Sequence, residues 1–122
     1  MYMTMRKILI IDDDIRYLVE AKRCLQTEGC KVSIHEYLSG APALIRQLDP
    51  DIVLLNICMQ ELSENKLSFL VSSNSEGKAV PIVFYSSLDE EGLCNAATRY
   101  GARGYVSKGD PSFLFEKVQC FC

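Results

Sequence analysis

The sequence predicts an α/β fold built on a doubly wound, five-stranded parallel sheet. Five short apolar runs alternate with five segments of helical periodicity. Parallel neighbours cannot be joined by a tight hairpin, so each strand must return through a crossover helix. Such crossovers are right-handed almost without exception, which places helices on both faces of the sheet. A chain of 122 residues suits one compact domain, because two cores would each bury too little apolar surface.

The elements follow in order. Residues 7–11 (KILII) carry rows of branched side chains that suit a strand buried on both faces. Residues 14–28 read as a helix with Ile15, Leu18, Val19 and Leu25 on one face and Gly29 as its stop. KVSIHEY alternates as a half-buried strand, with Val32 and Ile34 inward and Ser33 and His35 outward. Ser39 is the expected N-cap of a short helix that carries Leu44, Ile45 and Leu48. DIVLLN is the most uniformly apolar run and belongs at the centre of the sheet. Residues 61–73 form a third helix through Leu62, Leu67, Leu70 and Val71, and SNSEGK is a polar loop. VPIVFYS is the fourth strand, with Pro81 at its start, where a missing N–H is tolerated. LDEEGLCNAATRY gives a fourth helix closed by Gly101, and ARGYVS a short fifth strand. Asp110 and Pro111 have the character of N-cap and first residue of a closing helix that ends near Cys120.

Composition narrows the function classes. A net charge of −3 and a pI near 5.1 argue against a direct nucleic-acid surface, which wants clustered Lys and Arg. No stretch approaches the roughly twenty apolar residues needed to span a bilayer, so no membrane contact is expected. The six cysteines include no C-x-x-C pair, and Cys120 and Cys122 have no neighbouring His to complete a zinc site. The start, MYMTMRKILIIDDD, lacks the pattern of a signal peptide. Reduced thiols in a cytoplasmic domain are the simplest reading.

In a doubly wound sheet the functional crevice lies outside the carboxyl ends of the strands. The residues there are Asp12, Asp13 and Asp14 after the first strand, Asn56 and Cys58 after the third, Ser86 and Ser87 after the fourth, and Lys108 after the fifth. Each has a bland alternative. Acidic residues before a helix favour its positive N-terminal end, and Asp14 is read as an N-cap of that kind. Ser86 alone would be a loop serine, Tyr105 a packing residue and Lys108 a solvated lysine. Their joint placement on one rim, from distant segments, favours a pocket.

These residues and motifs, from KILIIDDD through PDIVLLN and PIVFYSS to GYVSKGD, make the chain resemble the receiver domains of two-component response regulators. The resemblance covers nearly the whole chain. It implies a flavodoxin-like (βα)5 fold with strand order 2-1-3-4-5 and residues 1–122 as one receiver domain, stand-alone or excised from a longer protein. It also implies that Asp12 and Asp13 form the acidic pair for a magnesium ion, with the Cys58 backbone carbonyl as a further ligand. Position 56 is then that of the phosphoacceptor, Ser86 supplies the hydroxyl for the phosphoryl group, Tyr105 is the aromatic switch residue, and Lys108 pairs with phosphoryl oxygens.

The chain departs from the family pattern at position 56, where asparagine stands in place of aspartate. A carboxamide is uncharged, its nitrogen lone pair is delocalised, and it cannot form the acyl phosphate. Loss of a carboxylate also weakens a site for a hard cation, so the expected cofactor is none, or weakly bound Mg2+. The amide brings two donors that can reach Asp12 or Asp13, and Lys108 can neutralise the remaining carboxylates. CMQELSE after Asn56 lacks the proline and glycine common in that loop, and Gly109 stands where the family usually has proline.

The expectation is a pseudo-receiver: not an enzyme, acting through protein contacts. The resemblance places its docking face on the fourth helix, fifth strand and fifth helix, including Tyr100 and Tyr105, for a histidine kinase, an output protein or a second copy. Three alternatives stand beside it. Phosphotransfer survives if Asn56 is a laboratory substitution or if Asp13 accepts phosphate instead. A haloacid-dehalogenase-like phosphatase would use Asp12 and Asp14, but needs a longer chain and a second acidic motif. A flavodoxin-like electron carrier would want a Ser/Thr/Gly phosphate loop, whereas three aspartates there repel phosphate.

Overall fold

The computed structural model describes residues 6–59, 62–74 and 80–121. Five parallel strands, β1 (Lys7–Ile11), β2 (Lys31–His35), β3 (Ile52–Asn56), β4 (Ile82–Ser86) and β5 (Gly104–Ser107), form one sheet in the order β2-β1-β3-β4-β5. The expected topology and the central place of DIVLLN both hold. Every residue of β3 and β4 is buried, which is why neither strand alternates polar and apolar. The helices are α1 (Ile15–Thr27), α2 (Ala41–Leu48), α3 (Glu64–Asn74), α4 (Glu90–Tyr100) and α5 (Leu114–Val118), the last extended at each end by a 3-10 turn. Among the described residues, no helix is long and apolar enough to cross a membrane.

Two apolar layers flank the sheet. Leu9, Val53, Leu55, Ile82 and Phe84 face one way, against α2, α3 and α4, joined by Ile45, Leu67, Leu70 and Leu93. Ile8, Ile10, Ile52, Leu54, Val83 and Tyr85 face the other way, with Leu18, Ala21 and Leu25 of α1 and Leu114 and Val118 of α5. The alternation of faces along each strand therefore decides which layer a residue enters.

Several helix boundaries and faces differ from the sequence expectation. The buried stripe of α1 is Leu18, Ala21 and Leu25, while Ile15 is 45% exposed and Val19 57%. Leu18 and Leu25 lie seven apart, and Ala21 completes their line at i+3; Ile15 and Val19 fall beside it on the solvent flank. Ser39 does not cap α2. Gly40 does, with φ of +77°, and no side chain closes the helix start. Pro42 occupies the first turn, where its missing N–H has no partner to lose. α3 begins at Glu64 rather than at 61, because Ser63 accepts from the Lys66 N–H at 3.2 Å and sets the start there. Glu61 and most of the SNSEGK loop lie outside the described residues. Elsewhere Asp14 and Asp110 cap as expected, accepting from Tyr17 and Ser112 N–H groups, and Asp89 caps α4 by accepting from the Gly92 N–H.

Gly104 illustrates a close approach on β5. A Cβ added there would stand 2.4 Å from the Phe121 ring, which packs across the strand. Gly104→Ala is therefore expected to cost about 1–2 kcal/mol by overpacking, measured by urea unfolding. In a Phe121→Ala background most of that cost should vanish, since the two residues share the contact.

Candidate functional site

The carboxyl ends of β1, β3, β4 and β5 bring the rim residues together. Asp12 follows β1 directly, and its N–H still bonds to the His35 carbonyl at 3.1 Å. Asn56 ends β3 and is the register partner of Tyr85 on β4. Lys108 follows β5, with its N–H on the Ser86 carbonyl at 2.9 Å. Ladder bonds thus continue one residue past the strand ends and hold all three side chains at one level.

Asp12 is the centre. It is fully buried, and its carboxylate accepts four hydrogen bonds. Oδ1 accepts from Asn56 Nδ2 at 2.8 Å and from the Asp14 N–H at 3.0 Å. Oδ2 accepts from the Tyr85 hydroxyl at 2.5 Å and from Lys108 Nζ at 2.9 Å. A carboxylate offers about four lone-pair positions, so this one is saturated. Asn56 bridges outward as well, its Oδ1 accepting from the Cys58 N–H at 2.9 Å. The amide is thus oriented by both of its ends: a donor faces the acid and an acceptor faces the loop.

The lysine is held from below by two rings. Lys108 Nζ lies 4.5 Å from the Tyr17 ring centroid and 5.7 Å from that of Tyr85, and the two rings stack at 5.8 Å. The Tyr17 hydroxyl donates to the Lys108 carbonyl at 2.8 Å. Nζ also lies 3.7 Å from Asp14. The side chain of Lys108 is 11% exposed, so this is a nearly buried ion pair.

Charge and burial set the protonation states. Burial alone would raise the Asp12 pKa, but hydrogen bonds from Tyr85, Lys108, Asn56 and the Asp14 N–H outweigh it and hold the carboxyl below its ordinary 3.8. Tyr85 and Tyr17 are pushed far up, by burial first and then by the Asp12 charge. Both hydroxyls therefore remain donors.

The remaining expected residues lie around this centre. Asp13 is exposed and is not among the four donors and acceptors at Asp12. Ser86 is fully buried; its Oγ accepts from the Leu88 N–H at 3.0 Å and lies 2.9 Å from Cys58 Sγ. Tyr105 is half-buried against the α4 layer, its hydroxyl donating to Glu90 at 3.4 Å. Sequence reading missed Tyr85 and Tyr17. A tyrosine inside an otherwise apolar strand was a usable signal, since a buried hydroxyl needs an acceptor nearby.

Receivers typically bind Mg2+ at the acidic pocket. Among the described residues, no group of three or more His, Cys, Asp or Glu is placed to hold a metal. The decisive geometry is at Asp12, where protein donors already take every lone-pair position. As arranged, Asp12 offers a cation no oxygen free of a protein donor.

Comparison with known proteins agrees with this topology. The response regulator receiver domain family matches residues 8–119. Protein PilH of Pseudomonas aeruginosa is 31% identical over 104 residues, covering 85% of this chain and 86% of PilH. The transcriptional regulatory protein YdfI of Bacillus subtilis is 29% identical over 110 residues, and the chain spans 50% of its length. Among solved structures, the chemotaxis response regulator CheY4 of Vibrio cholerae superposes with a TM-score of 0.82 at 22% identity, covering 98% of this chain and 100% of that one. The chain belongs to the response regulator receiver domain family. Its setting is two-component signalling, with proteins as partners.

The Asp12–Lys108 pair has a signed pH dependence. A carboxyl held below its unfolded value of about 3.9 contributes stability fully above that pH and loses it as pH falls through the folded value. Lys108→Met leaves the buried charge without its cation and should cost about 3 kcal/mol at pH 7. Without the ammonium the Asp12 pKa rises, so the deficit should shrink as the pH is lowered and Asp12 takes a proton. Urea unfolding of both proteins between pH 7 and 4 reads this; a deficit constant with pH would contradict the assignment.

Proposed function

We propose that this receiver signals without phosphorylation, as a pseudo-receiver that binds proteins rather than an enzyme. The observation that carries the reading is the Asn56 amide, donating to Asp12 on one side and accepting from Cys58 on the other. Where phosphotransfer needs an anionic oxygen, this chain holds a neutral group already engaged at both ends. With Lys108 on Asp12, the pocket is closed by its own contacts and retains at most a weak hold on Mg2+. In this reading Asp12, Asp13 and the Cys58 carbonyl are the remnants of the metal site, and Ser86, Tyr105 and Lys108 those of the switch. Residues 1–122 act as one receiver domain, and the cytoplasmic setting rests on thiols: none of the five described cysteines is paired.

The output face in this reading is α4, β5 and α5. A cleft of about 360 Å³ opens there, lined by Leu93, Tyr105, Val106 and Phe121 with Glu90 and Lys117 at its sides. Such an apolar floor with opposite charges suits a protein partner, whether a kinase, an output protein or a second copy.

Two measurements test this. Incubation of the unaltered chain with a small phosphodonor and Mg2+ should give no phosphate-sized increment in intact mass; an increment would show an acceptor such as Asp13 and overturn the reading. Tyr105→Ala should weaken self-association or partner capture by about ten-fold or more, the loss expected of a buried aromatic anchor. Sedimentation velocity reads it, and unchanged assembly would count against this face.

A further inference from the structure

We infer that Tyr85 is a second determinant of metal exclusion, acting on Asp12 independently of Asn56, so that restoring a carboxylate at position 56 does not by itself reopen the pocket. The inference rests on the proposed reading of the pocket and extends it to the opposite side of the same carboxylate.

The two oxygens of Asp12 are covered by different residues. Asn56 and the Asp14 N–H occupy Oδ1, while Tyr85 and Lys108 occupy Oδ2. Asn56→Asp removes only the amide donor from Oδ1. Oδ2 keeps its hydroxyl donor, and a hard cation must displace that charge-assisted bond before it can use this oxygen.

Tyr85 has little freedom to yield. Its side chain is completely buried in the α1–α5 layer, with its ring stacked on Tyr17. Tyr17 is in turn fixed by its hydroxyl on the Lys108 carbonyl. The hydroxyl of Tyr85 can leave Asp12 only if this packing opens. Register adds the geometric reason: Asn56 and Tyr85 are paired across β3 and β4, so adjacent strands deliver both donors to one acid.

The bland alternative is a core aromatic that merely parks its hydroxyl on the nearest acceptor. Phenylalanine fills nearly the same volume without requiring an acceptor, so core packing alone does not call for the oxygen. The two readings differ in what the hydroxyl does to a cation.

The test compares Asn56→Asp, Tyr85→Phe and the double variant, with MgCl2 as the probe in isothermal titration calorimetry and far-UV circular dichroism as the fold control. The double variant is expected to bind Mg2+ at least about ten-fold more tightly than Asn56→Asp alone, the fold-change of one lost hydrogen bond to a charged group. Tyr85→Phe alone should stay without saturable binding, since Asn56 still covers Oδ1. If Asn56→Asp alone binds within about two-fold of the double variant, the inference fails. Should the double variant not fold, Tyr85→Met in the Asn56→Asp background replaces it as an adaptable apolar filler. Failure of both to fold would make the hydroxyl structural and also overturn the inference. A phosphoryl adduct on the unaltered chain sinks the parent reading whatever Tyr85 does, whereas equal affinities here sink only this one.

Discussion

A single buried negative charge organises the functional end of this domain. Removing the Asp12 carboxylate from water is costly unless its lone pairs are matched and its charge is balanced. The chain meets both conditions internally: an amide, a backbone N–H, a phenol and an ammonium converge on the two oxygens. Each donor comes from a different segment, so the carboxylate ties β1 to β3, to β4, to the start of α1 and to the turn after β5. Lys108 supplies one positive charge to the buried Asp12 carboxylate, with the exposed Asp14 carboxylate 3.7 Å from the same ammonium. In a receiver with a carboxylate at position 56, the same cluster would carry excess negative charge and invite a cation. Asn56 adds no charge to that cluster.

The sheet order explains why these groups meet. β1 and β3 are neighbours at the point where the chain reverses its direction of growth across the sheet, and β4 lies beside β3. Parallel register carries side chains from three adjacent strands to one level, and ladder bonds beyond the strand ends fix the residues that follow. The apolar layers then hold the pocket walls: α1 presses Tyr17 onto Tyr85 from one side, while Tyr105 packs against the α4 layer on the other. The closed network at Asp12 and the α4–β5–α5 surface proposed as the output face therefore lie on different parts of the same sheet.

Much of this was legible in the sequence, for identifiable reasons. Apolar runs of strand length have a strong signature, and all five were found within a residue or two, along with the glycine that closes α4. Asp12, Asn56, Ser86 and Lys108 could be placed on one rim because the strand ends define that rim. Finer features were not readable. The buried line of α1 includes a small residue, Ala21, which carries less weight in an apolar pattern than the exposed Ile15 and Val19. The start of α2 depends on a left-handed Gly40 rather than on a side-chain cap, and the preceding Ser39 misleads. Tyr85 looked like one more aromatic in a hydrophobic strand; only the register with Asn56 reveals that its hydroxyl points to the acid.

The central claim is that the protein's own donors complete the coordination of Asp12. Nuclear magnetic resonance of the unaltered, 15N-labelled chain reads this directly, through the Asn56 side-chain amide and the Asp14 backbone amide, both bonded to Oδ1. Across a Mg2+ titration through the millimolar range these signals should show no saturable shift, since the ion finds no open oxygen at the buried acid. Saturable displacement of both resonances, with loss of the Asn56 hydrogen bond, would contradict the account.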